Sequence, residues 1–301
     1  MPSAVEVEVE GRRLRLTNLD KVLYPDVGFT KGQVIDFYTR AAPWLLGHLR
    51  GRALTLKRYP NGVESGHFYE KQKPSHAPDW VRSEAIQAGD RTIDFVLCDD
   101  LATLVWLANL ADLELHPSLA LAHDPGAPTV LAFDLDPGPP AGIAECCEVA
   151  LLLRELLAQL GLDSFVKTSG SKGMQLYVPL NTEVTYDDTK PFAHGVARLL
   201  ESRHKDLIVS VMKKSLRSGK VFIDWSQNDR HKTTVGPYSL RARERPTVST
   251  PLSWDELDDP SGLSFDFAQV LERLEEHGDL FAGVLEIEQE LPALESRRGG
   301  P

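Results

Sequence analysis

The chain has 301 residues, 42% of them hydrophobic and 26% charged. That composition excludes a disordered chain and supplies a real core for one large domain or two tightly fused ones. A formal net charge of −11 argues against a uniformly basic nucleic-acid binder, and no apolar run is long enough to span a bilayer.

The distribution of charge changes that picture. From His204 to Arg245 there are ten Lys/Arg against four acids, a local excess of +6, whereas Trp254 to Glu295 holds thirteen acids and one base. A basic surface joined to an acidic tail segment fits a polyanionic partner, and a solvated charged face is the plainer reading. The opening MPSAVEVEVE has neither a basic nor an apolar signal region, and the cysteines (Cys98, Cys146, Cys147) match no disulfide framework or zinc spacing. The expected setting is cytoplasmic and reducing.

In chain order, Val5, Val7 and Val9 alternate with Glu, and Gly11 turns the chain towards Leu14 and Leu16, a hairpin pattern. Residues 18–31 read as a loop. Thr30 then caps a helix to about Leu49, with Val34, Ile35, Phe37, Tyr38 and Ala41 at helical spacing. Strands are expected at Ala53–Tyr59 and Ile93–Leu97, and a helix capped by Asp99 or Asp100 runs to about Leu110. His116 follows a strand in LELHP. Thr129–Phe133 is a buried strand ending at Asp134, and Ala141–Leu160 a helix. Phe165–Thr168 and Met174–Val178 are strands joined by Ser169-Gly170-Ser171-Lys172-Gly173, followed by a helix from Asp187 to Ser202. Lys220–Trp225 and Tyr238–Arg241 are expected strands, and the last 45 residues read as helical and acidic, with a flexible tail at 289–301.

Chemistry concentrates in three places. In LAFDLDPGPP, an apolar strand presents Asp134 and Asp136 two residues apart, hence on one face. Such carboxylates repel unless a cation lies between them, and hard divalent ions take oxygen ligands of this kind. Asp224 in KVFIDWSQN lies within an apolar strand, where a carboxylate is costly unless bound to metal or paired. It either completes a three-carboxylate cluster for two metals or is a structural acid bonded to Trp225 or a backbone amide. The turn in KTSGSKGMQLYVPL offers amides, hydroxyls and Lys172 to a phosphate, or is simply a turn, and it lacks Walker A spacing. His116 is a further phosphate donor candidate. In SLRAR, Arg241 and Arg243 would share one strand face and suit phosphate. Phe68 and Tyr69, beside Lys71 and Lys73, could stack on bases. Together these residues point to phosphoryl transfer from a nucleotide. The rival classes are an Asp-x-Asp phosphatase or glycosyltransferase, and a non-catalytic DNA-end-binding module.

The ordered set TNLDKVLYPDVGFTK, KRYPNGV, HFYEK, LELHP, FDLDPG, TSGSKGMQLY, KSLRSGKVFIDWSQN and PYSLRAR closely resembles the polymerase domain of bacterial ligase D, of the archaeo-eukaryotic primase superfamily. The match runs from about Leu14 to Leu274. The resemblance implies an α/β (α+β) fold: a primase-type catalytic core at about 121–288, with an RRM-like antiparallel sheet, fused to an N-terminal α/β module at about 1–120. It implies a DNA repair nucleotidyltransferase that uses Mn2+ or Mg2+, two per site, prefers ribonucleotides, and fills gaps or extends broken ends. Ku and a separate ATP-dependent DNA ligase are the implied protein partners, DNA and nucleoside triphosphates the ligands, and the bacterial nucleoid the location.

Carried over by position, Asp134, Asp136 and Asp224 match the catalytic metal carboxylates. His116, Ser169, Lys172, Arg241, Lys57 and Gln227 match the nucleotide site. Asn18, Lys21 and Lys31 match a pocket for a downstream 5′-phosphate, and Phe68 and Tyr69 match an aromatic pair at the template. Two positions depart from the pattern: Gln175 replaces the family's His, and Tyr69 a usual Phe. No ligase or nuclease signature follows within the 301 residues, so the expectation is a stand-alone polymerase or a piece of a longer protein.

Overall fold

The computed structural model describes residues 4–292. Strands β1 (Ala4–Val9) and β2 (Arg12–Thr17) form the expected hairpin. Its turn residues Glu10 and Gly11 both take positive φ, the backbone twist that a two-residue hairpin turn needs. The segment read as a loop at 18–31 contains a short ribbon, β3 (Val22–Tyr24) paired with β4 (Phe29–Thr30). Two- and three-residue strands are too short to leave a period in the sequence.

Thr30 caps helix α1 (Lys31–Leu49), and its hydroxyl and the Gln33 side chain satisfy each other's backbone N–H. Strand β5 (Arg52–Arg58) pairs along one edge with β9 (Asp112–Leu121). Its other edge is shared by β8 (Arg91–Leu97) and β6 (Phe68–Glu70), and β7 (Ser83–Ala88) completes the sheet beyond β8. Asp100 caps α2 (Leu101–Asn109) and also accepts from Arg12, which fastens the hairpin to the helix. His116 lies inside β9 rather than after it, because the strand continues through Pro117.

The second sheet has the order β13-β14-β10-β12-β11-β15. Its central members are β10 (Val130–Pro137), β12 (Met174–Pro179), β14 (Val221–Asp224) and β11 (Phe165–Thr168). The edges are β13 (Ile208–Val209) and β15 (Pro251–Leu252). Pairing is antiparallel except between β13 and β14. Helices α3 (Ile143–Gln159) and α4 (Tyr186–Arg203) cover one face, packing on Leu131, Phe133, Leu135, Leu176 and Ile223. Each such residue contributes about 1.5–3 kcal/mol by leaving water. By alternation the opposite face carries Asp134, Asp136, Gln175 and Lys167. The helices therefore dictate where the polar residues must point.

Residues 233–250 tie the two sheets together. Gly236 N donates to Leu115 O of β9, while Thr234 and Val235 accept from Gln175 and Lys167 of the other sheet. The strand expected at Tyr238–Arg241 does not form. Tyr238 has φ +60 and Leu240 makes an isolated bridge to Val248. Arg241 and Arg243 therefore do not share a strand face. The acidic C-terminal region is helical over α5 (Phe267–His277) and α6 (Gly283–Glu286), with short 3-10 turns before them. Residues 287–292 form neither helix nor strand, and 293–301 lie outside the described residues. Among the described residues, no helix is long and apolar enough to cross a membrane.

Candidate active site

The carboxylates converge through register. Asp134 on β10 faces Asp224 of β14 on one side and Gln175 of β12 on the other, and Gln175 in turn faces Lys167 of β11. One rung across four strands thus reads Asp224, Asp134, Gln175, Lys167. Directly opposed residues of antiparallel strands lie on one face, with Cα atoms about 4.5–5.5 Å apart. Asp136, two residues on, lies on that face as well. Asp134 is not the end of its strand as the sequence suggested. The strand continues to Pro137, so the acid is inside the sheet. Asp224 ends β14, and Trp225 begins a 3-10 turn.

Each carboxylate has a holder. Gln175 Nε2 donates to Asp134 Oδ1 at 3.0 Å and to Thr234 Oγ1 at 2.8 Å. Asp224 accepts from Ser226 N at 2.9 Å, from the Ser226 hydroxyl and from Gln227 Nε2 at 3.1 Å. The Arg217 guanidinium lies 3.7 Å from Asp136. Burial, followed by the charges of Asp136 and Asp224, pushes the Asp134 carboxyl up to about 7, against the Gln175 hydrogen bond. Burial and Asp224 also raise Asp136, opposed by Arg217.

A crowded set of carboxylates, with Asp134 and Asp224 partly buried and Asp136 exposed, fits a hard divalent cation, which would relieve the repulsion. Among the described residues, no group of three His, Cys, Asp or Glu side chains is already placed to hold a metal ion.

A basic cluster gathers Lys57 of β5, His116 of β9 and Arg241 of the 233–250 segment around Glu114. Glu114, 2% exposed, sits directly opposite Lys57 in the register of β9 and β5. Lys57 Nζ is 3.0 Å from Glu114 Oε1, His116 Nε2 is 3.0 Å from Oε2, and Arg241 Nε is 3.3 Å from Oε2. Arg241 Nη1 donates to the Ser169 carbonyl. The Ser169 hydroxyl accepts from Ser171 N and Gly173 N, so it braces its own loop. Lys172 is exposed and lines an open cleft of about 470 Å³ with Arg243 and Arg245. Burial lowers His116, as do the charges of Arg241 and Lys57, and Glu114 pulls it back up.

Phe68 and Tyr69 are exposed neighbours on edge strand β6, so they point to opposite faces. Tyr69 lies on the cluster side, with Lys57 5.7 Å from its ring and His116 6.3 Å away, while Phe68 is covered by Arg58. Asn18, Lys21 and Lys31 meet at the start of α1. Lys31 N donates to Lys21 O, and Lys21 N to Asn18 O. Lys31 Nζ is buried on the neutral acceptors Thr17 and Asn109 and makes no ion pair among the described residues. Burial and then the Lys21 charge lower Lys31 to about 8. Two lysines at a helix N-terminus suit a phosphate.

Sequence reasoning passed over Glu114, Lys167 and Arg217. Lys167 is fully buried, donating to Val235 O at 3.1 Å and to Ser249 Oγ. A polar residue within an apolar strand was the available signal, and it was used only for Asp224.

Residues 30–281 match the family described as LigD, primase-polymerase domain. The chain belongs to the LigD primase-polymerase family. This family consists of metal-dependent, DNA-directed nucleotidyltransferases. The phosphatase and glycosyltransferase readings of the Asp-x-Asp motif therefore fall away. This LigD-type chain is 44% identical over 272 residues to the multifunctional non-homologous end joining protein LigD of Mycolicibacterium smegmatis, covering 90% of the chain and 36% of that protein. It is 33% identical over 270 residues to the bifunctional LigD of Bacillus subtilis, covering 88% of the chain and 43% of that protein. The chain thus spans well under half of these relatives. The solved polymerase domain of Mycobacterium tuberculosis ligase D in complex with DNA superposes with TM-score 0.87 at 42% identity, covering 92% of this chain and 99% of that one.

Proposed function

We propose that the protein extends DNA 3′ ends at gaps and double-strand breaks, adding nucleotides through a site that holds two divalent ions, Mn2+ or Mg2+. The observation that carries this reading is the rung that sets Asp224 against Asp134, with Asp136 on the same face. Asp134, Asp136 and Asp224 would hold the ions, and Gln227 orients Asp224. When bound, the ions lower the pKa of the attacking 3′-hydroxyl and offset charge on the leaving pyrophosphate. Lys57, His116, Lys172 and Arg241 bind the triphosphate, and Ser169 keeps the Lys172 loop closed behind it. Tyr69, with Phe68 on the outer side, meets the template strand. Asn18, Lys21 and Lys31 receive the 5′-phosphate across the gap, which selects gapped over open substrates.

The relatives' names concern non-homologous end joining, and we extend that pathway to this chain, with Ku and an ATP-dependent DNA ligase as its partners at the nucleoid. Primer extension on a short 5′-phosphorylated gap tests the chemistry, with either metal and with ribo- or deoxyribonucleotides. Chelation should abolish extension. Asp136→Ala should lower it by more than about 100-fold, the range already reached when outer supports of metal ligands are removed, and should leave DNA binding intact. Near-normal extension by that variant would refute the assignment. Gap binding without incorporation under any metal would favour an end-binding module.

A further inference from the structure

We propose that Glu114 is the positioning residue of the triphosphate cradle: one buried carboxylate that sets the spacing and the net charge of Lys57, His116 and Arg241. The inference rests on the reading that these three side chains contact the triphosphate.

Glu114 lies in the apolar part of β9, where Asp112 to Leu115 are all buried. An unpaired carboxylate there is strongly unfavourable. Both oxygens are in use. Oε1 accepts from Lys57 Nζ at 3.0 Å, Ala242 N at 3.2 Å and the Tyr59 hydroxyl at 3.3 Å. Oε2 takes His116 Nε2 at 3.0 Å and faces Arg241 Nε at 3.3 Å. These groups come from β5 and the residue just beyond it, from β9 itself, and from the 233–250 segment. Three separate stretches of chain are thus fixed to one point. Burial alone would raise the Glu114 carboxyl, but the His116 hydrogen bond and the charges of Arg241 and Lys57 hold it well below the usual carboxylate range.

Lys57 and Arg241 nonetheless stay partly exposed, at 13% and 14% of their side chains. Lys57 Nζ sits 5.4 Å and 5.7 Å from the rings of Tyr59 and Tyr69, and Tyr69 is 59% exposed. Arg241 reaches past Glu114 to the Ser169 carbonyl, so the carboxylate is coupled through one guanidinium to the Lys172 loop. Glu114 thus offsets part of the positive charge that Lys57 and Arg241 bring to one point. Without Glu114, Lys57 and Arg241 would repel each other and lose their common anchor, so a polyphosphate would have to order them on arrival.

The test compares Glu114→Gln, Glu114→Asp, Lys57→Ala, Arg241→Ala and the Glu114→Gln/Arg241→Ala double variant. The readouts are thermal unfolding, gapped-DNA affinity, and KM and kcat for nucleotide addition with manganese. Charge-assisted hydrogen bonds of this kind correspond to about tenfold or more in binding, so Glu114→Gln should raise the nucleotide KM by about that factor. DNA affinity should hold at the wild-type value, Glu114→Asp should recover part of the loss, and Glu114→Gln should add little once Arg241 is gone. A wild-type KM in Glu114→Gln, a matching loss of DNA affinity, or full multiplication of the two effects would overturn the proposal. If Glu114→Gln fails to fold, Glu114→Asp decides: a raised KM supports the proposal and an unchanged one overturns it. Unchanged KM in both Lys57→Ala and Arg241→Ala would overturn the triphosphate reading itself, and the inference with it.

Discussion

Asp134 shows how one side chain can oppose folding while serving a site. Its carboxyl titrates near 7 in the folded chain and in the ordinary carboxylate range when unfolded. The folded state therefore holds its proton more tightly. Stability associated with this group is fully present at low pH, falls as pH rises from about 4 to about 7, and stays lost above that. Metal-free protein should accordingly melt lower at pH 8 than at pH 5 as far as this group is concerned. Asp134→Asn should remove that pH dependence and raise the metal-free midpoint at pH 8, by about 2–4 °C for each kcal/mol of relieved repulsion, while abolishing extension. Calorimetry of both proteins without metal checks this, and a lower midpoint for the variant would contradict it. At this scale, Asp134 and Asp136 were legible because spacing by two fixes a shared face. The placement of Asp224 opposite Asp134 was not, since register between distant strands leaves no trace in spacing. Glu114 and Lys167 were hidden for a related reason: a single polar residue in an apolar strand is chemically silent until its cross-strand partners are known.

At the scale of elements, the turn between β11 and β12 depends on one absent side chain. A Cβ at Gly173 would overlap the Leu135 carbonyl on β10, a backbone atom that cannot swing away. Gly173 also closes the loop, donating to the Ser169 hydroxyl and accepting from Ser169 N. Gly173→Ala should therefore push the Lys172 loop off the β10 strand between its two acids. The expected cost is about 1–3 kcal/mol, as for other overpacked sites, with a fall in nucleotide incorporation larger than the fall in stability would explain. Denaturant unfolding and steady-state kinetics on the same preparation separate the two. Most long elements were legible from periodicity and caps, as the Thr30 capping box of α1 illustrates. The misses were the six-residue β7, the two-residue β13, and the supposed strand at Tyr238–Arg241, where apolar and polar residues alternate as in a strand but the backbone turns left-handed at Tyr238. There tertiary docking overrides local preference.

Over the whole molecule, the first sheet does not complete its own core. Tyr238, Leu240, Val248 and three α5 residues, Val270, Leu271 and Leu274, belong to the same apolar cluster as α1 and α2. Tyr238 and His48 of α1 share Asp279, at 2.7 Å and 2.8 Å. Leu274→Ala should therefore cost about 2–5 kcal/mol and be felt as far away as Trp106 of α2. Unfolding followed by tryptophan fluorescence should shift as one transition, and a separate, unshifted transition for the N-terminal part would contradict the shared core. The same feature bears on how the protein is made. Its N-terminal strands and helices leave the ribosome long before α5 does, and until that helix arrives they carry an open apolar groove beside α1. Synthesis must run past α5 before the groove is sealed. A nascent chain stalled short of α5 would thus be a client for chaperones rather than a working half-enzyme.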